Sequence, residues 1–127
     1  MAVQGPIVIT GASSGIGAAC AQYLDALGFT VWAGVRSTRD GGALTRLTSS
    51  RLRVLMLDVT DPASIEAARK TLAEATRDTG LAGLVNNAGI SVAGPLELLP
   101  LAEVRTQFEV NVIGALAVTQ ALLPLLR

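Results

Sequence analysis

Histidine is absent from this chain of 127 residues, which removes the usual general base and the commonest metal ligand. We therefore expect no metal site. The single cysteine, Cys20, can form no internal disulfide and is interpreted as a core residue of a helix. Aromatic residues make up only 3 % of the chain, and the one tyrosine is Tyr23. The one lysine is Lys70, so few side chains are available for acid–base chemistry.

Net charge is also lacking, because ten basic and ten acidic residues cancel. This balance argues against a general attraction to nucleic acid or to an anionic membrane surface. Residues 1–6 lack a basic-then-apolar leader, so we expect a cytoplasmic protein. The apolar run at residues 112–126 is shorter than the roughly 20 residues of a membrane span. Thr119, Gln120 and Pro124 interrupt it, and we expect no span.

Half of the residues are hydrophobic, and short apolar runs alternate with helical patterns. Strands are predicted at residues 1–10, 29–35, 53–57 and 81–85. Helices are predicted at residues 14–27, from 61 to near 80, and from about 101 onward. A weaker helix is predicted within 37–50, where Gly41 and Gly42 make the first half uncertain. This order predicts an α/β protein with a Rossmann-type, doubly wound parallel sheet, in one domain over residues 1–127. Such sheets usually have about six strands, so we expect this one to be truncated after the fourth strand and its following helix, with that strand at an open edge.

Helix ends and faces are predicted from the same patterns. Gly28 is expected to end the first helix, and Asp61 with Pro62 to begin the third. The expected core-facing residues of these two helices are Ile16, Cys20, Tyr23, Leu24 and Leu27 in the first, and Ile65, Ala68, Leu72 and Ala75 in the third. The last helix is apolar almost all round, so we expect it to pack on the sheet and on a partner subunit, with Val118 as a candidate for the outer face.

A glycine-rich stretch, residues 10–17, lies where the first strand turns into the first helix. Its candidate binding residues are Gly11, Ser13, Ser14, Gly15, Ile16 and Gly17. Glycines let the backbone turn sharply and approach a pyrophosphate, and the first N–H groups of a helix can point at the anion. The alternative is an ordinary turn with close helix–strand packing. The position predicts a phosphate site.

Four further polar features follow the strands or interrupt the last helix. Arg36 follows the second strand, where NAD-binding proteins place an acid, and can bind a 2′-phosphate or be a solvated surface residue. Asp58 can accept from an adenine amino group or only stabilise a turn. The tetrad at residues 86–89 can hold loops together near a cofactor or form a plain turn, and Asn111 is either satisfied structurally or part of a site.

Together these motifs resemble the short-chain dehydrogenase/reductase family. They are Thr10-Gly-Ala-Ser-Ser-Gly-Ile-Gly17, Asp58-Val59, Asn86-Asn-Ala-Gly89 and Val110-Asn111-Val112, in order over essentially the whole chain. The strand end Trp32-Ala-Gly-Val-Arg36 is most similar to hydroxysteroid and retinol dehydrogenase-like members. The resemblance implies that the glycine stretch holds pyrophosphate and adenosine, that Asp58 and Val59 hold adenine, and that Asn87, Ala88 and Gly89 border the ribose and nicotinamide. It assigns Asn111 as a catalytic asparagine that positions a water.

The expected cofactor is NADP, with NAD as second choice, because Arg36 stands where an acid would favour NAD. The expected substrate is a small, lipophilic secondary alcohol or ketone, and the expected assembly is a homo-oligomer through the last helix. The family also needs a serine and a Tyr-x-x-x-Lys pair beyond Asn111, and neither Tyr23 nor Lys70 matches that motif. We therefore expect these residues alone to be inactive. The alternatives are a non-catalytic nucleotide-binding or interaction module and, less favoured, a flavodoxin-type phosphate-binding domain.

Overall fold

The computed structural model describes residues 4–126. The strands are β1 Gln4–Ile9, β2 Phe29–Val35, β3 Leu52–Met56 and β4 Gly83–Val85. The α-helices are α1 Gly15–Ala26, α2 Thr38–Thr45, α3 Pro62–Ala75, α4 Leu101–Phe108 and α5 Ala115–Leu122. A π-helical segment, Glu109–Gly114, joins α4 to α5, and 3₁₀ turns lie at Leu96–Leu98 and Leu123–Leu126. Residues 1–3 of the predicted first strand lie outside the described residues.

The four strands form one parallel sheet in the order β3-β2-β1-β4. Alternate side chains of β1 enter two different cores because successive residues of a strand point to opposite faces. Val8 packs in the core that contains residues of α3 and α5. Ile7 and Ile9 pack in the core that contains residues of α1 and α2. Helices therefore cover both faces, which confirms the doubly wound α/β architecture, and β4 lies at an edge of the sheet.

The face that α1 presents to the sheet differs in part from the predicted one. Its buried residues are Gly17, Ala21 and Asp25, whereas Ile16 is 81 % exposed and Tyr23 is 65 % exposed. The expectation that Tyr23 faces the core is wrong. Cys20 and Leu24 are partly buried and pack against the core, as predicted. Hydrophobicity alone did not select the small residues that α1 buries most completely. Gly28, with φ of 95°, follows the helix in the left-handed conformation that was predicted.

The second and third helices also show how local contacts fix helix ends. Residues 41 and 42 lie inside α2, so the doubt about its first half is removed. The helix begins after Ser37, whose hydroxyl accepts from the Asp40 N–H at 3.3 Å. The predicted start of α3 is confirmed, since the Asp61 carboxylate accepts from the Ala63 N–H at 3.0 Å. However, α3 ends at Ala75 and not near residue 80, and Ala75 is exposed while Thr76 is buried.

The last helical segments form one continuous helix of 26 residues, Leu101–Leu126, which is long and apolar enough to cross a membrane by length and composition. One such helix is weak evidence, because core helices of soluble proteins pass the same test. The argument against a membrane span considered only the apolar run at residues 112–126, which is shorter than this helix. Val118 is fully buried against the sheet, so its assignment to an outer face is wrong. Phe108 and Leu116 are 57 % and 52 % exposed and lie on a second apolar face.

Candidate active site

The turn between β1 and α1 has the backbone geometry of an anion site. Gly11 and Gly15 have φ values of 64° and 55°, in the left-handed region that favours glycine. A Cβ at Gly11 would lie 2.7 Å from the Ala88 Cα, so only glycine fits between the two loops. Ser14 precedes α1 without capping it through its side chain, and the first turn carries no acidic residue. The first N–H groups of α1 thus keep their capacity to bind a negative charge.

A hydrogen-bond network ties the end of β4 to the end of β1. The Asn87 amide nitrogen donates to the carbonyl oxygens of Thr10 at 3.1 Å and Gly11 at 3.0 Å. The Thr10 hydroxyl oxygen accepts from the N–H groups of Asn87 at 3.0 Å and Ala88 at 2.9 Å. Thr10 is almost completely buried, and this role was missed because threonine at a strand end is unremarkable in sequence. The Asn87 donors are used to hold the glycine loop in place.

Asp58 lies at the end of β3, close to Arg36 at the end of β2. One carboxylate oxygen of Asp58 accepts from the Thr60 N–H at 2.9 Å and from the Thr60 hydroxyl at 2.7 Å. The Asp58 N–H donates to the Ser64 hydroxyl oxygen at 2.9 Å. The hydrogen bonds from Thr60, and to a lesser extent the charge of Arg36, hold the pKa of Asp58 below its ordinary value. The carboxylate is therefore charged at neutral pH and fixed in direction.

Asn111 lies in the π-helical segment, and both ends of its side-chain amide bind one residue. Its Oδ1 accepts from the Ile90 N–H at 2.8 Å, and its Nδ2 donates to the Ile90 carbonyl oxygen at 2.8 Å. The Asn86 amide donates to the Thr119 hydroxyl oxygen at 2.9 Å, which links the end of β4 to α5. Polar side chains thus connect the segment that follows β4 to the long helix at two places.

These elements surround one cleft of about 540 Å³ at the carboxyl ends of the strands. The predicted residues that line it are Gly11, Ser13, Ser14, Ile16, Arg36, Asp58, Val59, Asn87, Ala88 and Gly89. Six further lining residues were not predicted to bind a ligand, although two of them lie within quoted motifs: Gly34, Leu57, Thr60, Ile90, Thr106 and Val110. Thr60 and Ile90 directly follow predicted motifs, and that adjacency was a usable signal. Gly15, Gly17 and Asn111 are not among the lining residues.

The cleft fits an elongated anionic ligand better than it fits acid–base chemistry. Its middle is the glycine turn with the N-terminus of α1, and one end carries the Arg36 guanidinium. Tyr23 on α1 and Lys70 on α3 are not among the lining residues. With no histidine in the sequence, the described part of the chain presents no group in the cleft suited to exchange a proton near neutral pH.

Comparisons with known proteins agree with this geometry. The sequence is 48 % identical over 124 residues to 11-beta-hydroxysteroid dehydrogenase type 2 of Ovis aries, covering 95 % of this chain and 29 % of that protein. It is 44 % identical over 122 residues to retinol dehydrogenase 16 of Homo sapiens, covering 95 % of this chain and 38 % of the relative. The chain thus spans about a third of these relatives, and the predicted similarity to hydroxysteroid and retinol dehydrogenases is confirmed.

A solved structure gives the same result for the fold. NADPH-bound carbonyl reductase from chicken fatty liver superposes with a TM-score of 0.88 at 34 % identity, covering 98 % of this chain and 52 % of that one. The sequence model of the family described as short chain dehydrogenase matches residues 6–127. The chain therefore belongs to the short-chain dehydrogenase/reductase family.

Proposed function

We propose that this protein serves an NADP-dependent oxidoreductase reaction, in which hydride passes between a nicotinamide and a secondary alcohol or ketone. The observation that carries the proposal is the cleft itself, in which a glycine turn and a helix N-terminus lie beside Arg36. The family uses NAD or NADP, and the similar carbonyl reductase is described as NADPH-bound. We take residues 1–127 as one NAD(P)-binding unit.

Each part of the cleft has a stated task in this proposal. The first N–H groups of α1 and the backbone of Gly11 would hold the pyrophosphate. Arg36 would bind the 2′-phosphate through charge-assisted hydrogen bonds, and Asp58 would accept from the adenine amino group through its second oxygen. The bound nicotinamide would supply or accept the hydride. Asn111 would act through the loop that it fixes at Ile90.

The names of the relatives support a lipophilic substrate, since hydroxysteroids and retinol are apolar alcohols. The exposed apolar face of the long helix supports a homo-oligomer in which this face is covered. We retain a cytoplasmic location, without a membrane span, as a prediction. The second candidate is a non-catalytic nucleotide-binding module, which is favoured because residues 4–126 place no acid–base group in the cleft.

The cofactor proposal is tested by measuring dissociation constants for NADPH and NADH, with the fluorescence of the bound nicotinamide as signal. Arg36→Ala should weaken NADPH binding by about tenfold or more, because a charge-assisted phosphate contact contributes about 1.5–3 kcal/mol. NADH binding should change by less than twofold. Val35→Asp with Arg36→Ala should shift the preference towards NADH.

Arg46→Ala is the matched control, since Arg46 is exposed and does not line the cleft. An unchanged ratio of the two dissociation constants in the Arg36 variants would show that this strand end does not select the cofactor. Turnover is measured on the same 127 residues. We expect no ketone-dependent NADPH oxidation by these 127 residues above that of a Gly15→Trp variant. Activity above that control would reveal a catalytic group elsewhere in the chain.

A further inference from the structure

Two side chains of the long helix bind backbone groups of the loop that follows β4, and only one of them belongs to a motif named above. Asn111 exchanges two hydrogen bonds with the backbone of Ile90. Gln107, one turn earlier, accepts from the Val92 N–H through its Oε1 at 2.6 Å. Together the two amides bind three backbone groups within three successive residues of the loop. The loop has no regular secondary structure of its own, so these bonds help to fix its path.

The Gln107 bond is placed to affect the cleft without entering it. Gln107 and Val92 are half-buried, and neither lines the cleft. Gly89 and Ile90, which precede Val92 in the loop, do line it. Asn111 holds Ile90 itself, and Gln107 holds the chain two residues further on. Losing the Val92 bond would release the chain that follows Ile90. The cleft wall at Ile90 would then be held only by the two Asn111 bonds.

The strand order shows which part of a ligand this wall would meet. Asp58 and Arg36 follow β3 and β2, the glycine turn follows β1, and Gly89 with Ile90 follow β4. Along the edge of the sheet, the glycine turn therefore lies between the Arg36 end and the Ile90 end. If the 2′-phosphate binds at Arg36 and the pyrophosphate at the glycine turn, the nicotinamide half extends toward Ile90.

We propose that Gln107 is a positioning residue that preforms the nicotinamide end of the cleft by fixing the backbone at Val92. The proposal rests on the function proposed above and adds a residue that contacts neither cofactor nor substrate. The loss of one neutral hydrogen bond corresponds to about a two- to twelvefold change in an equilibrium constant. The dissociation constant should change only for ligands that reach the Ile90 end of the cleft. In the variant, these ligands must order the loop when they bind, and this weakens their affinity.

The experiment compares NADPH with 2′-phospho-ADP-ribose, which lacks the nicotinamide, on the 127-residue chain. Gln107→Met removes the acceptor while keeping side-chain length and helix propensity. Gln107→Glu keeps an acceptor oxygen at the same reach. Gln120→Met makes the same chemical change on an exposed residue of the same helix that does not line the cleft, and serves as the matched control. Hydrogen exchange at the Val92 amide reports the anchor without any ligand.

The expected result is a two- to twelvefold weaker NADPH affinity in Gln107→Met, with the affinity for 2′-phospho-ADP-ribose within twofold of the original. Gln107→Glu should restore NADPH binding, Gln120→Met should leave it unchanged, and the Val92 amide should exchange faster in Gln107→Met. Equal losses for both ligands, or an unchanged NADPH affinity, would overturn the positioning role. If the unmodified chain binds neither ligand, the proposed cofactor site is wrong, and this proposal falls with it.

Discussion

Replacing Gly17 with alanine should destabilise the protein strongly, although the added group is one methyl. Gly17 is buried, and its Cβ would overlap the carbonyl oxygen of Gly11 and the side-chain amide of Asn87. Neither neighbour can retreat easily. Gly11 is itself confined by the backbone of Ala88, and the Asn87 amide is held by two hydrogen bonds to backbone carbonyls. The methyl group must therefore displace either α1 or the glycine turn.

The cost follows from the contacts. Overpacking in a rigid site typically costs about 1–3 kcal/mol. Breaking the two Asn87 bonds adds about 0.5–1.5 kcal/mol each. The free energy of unfolding should therefore fall by about 2–6 kcal/mol. This is a large fraction of the 5–15 kcal/mol that is usual for a domain, and at about 4 °C per kcal/mol the Tm should fall by about 8–24 °C.

The assay is urea and thermal unfolding followed by far-UV circular dichroism, with Gly42→Ala as the control. Gly42 lies inside α2, and a Cβ there would meet no atom within 4 Å. Alanine at that position should be neutral or stabilise the protein by up to about 1 kcal/mol, because glycine is a poor helix former. The packing argument is refuted if Gly17→Ala unfolds within about 1 kcal/mol of the original chain, a change too small for the overlap described.

Three further predictions concern charge, assembly and strain. Thr60→Val should raise the pKa of Asp58 towards the ordinary 3.8, as measured by carboxyl NMR titration, because it removes one of the hydrogen bonds that lower it. The lowered pKa of Asp58 stabilises the fold at neutral pH, and this contribution is lost as the pH falls below 3.8 through the folded-state value. An unchanged pKa of Asp58 in Thr60→Val would contradict the role given to the Thr60 hydroxyl. Leu116→Glu should leave the fold intact and reduce any self-association seen by sedimentation velocity. Val118→Glu should unfold the protein because it buries a charge. Equal behaviour of the two variants would show that the buried and exposed faces of the helix are assigned wrongly. Gly15→Ala should cost only about 1–2 kcal/mol, since it has a positive φ but open space around it, and a loss as large as that of Gly17→Ala would contradict the distinction.

The sequence predicted best what depends on neighbouring residues. The strand–helix alternation, the cap at Gly28 and the start of α3 at Asp61 are local, and the structure confirms them. The positions of Ile16 and Tyr23 on α1 were mispredicted because their exposed fractions depend on how the helix packs on the sheet. The periodicity of a single helix carries no information about that distance.

The candidate site was predicted to the extent that it consists of strand ends. Ten of the predicted binding residues line the cleft, because parallel strands bring their carboxyl ends to one edge. Thr10 and Gln107 were missed because their roles depend on partners 77 and 15 residues away along the chain. Polar side chains of these types are common on surfaces, so only the folded arrangement distinguishes them.

The bonds between Thr10 and Asn87 also have a consequence for the order of folding. Val8 in β1 pairs with Trp32 in β2 and with Leu84 in β4. Closing the longer of these two loops costs about 1 kcal/mol more in chain entropy. During synthesis, β1 and β2 are complete long before β4 has been made. The cleft should therefore close last, and the appearance of ligand affinity in a refolding experiment would time the docking of β4 and not the initial collapse.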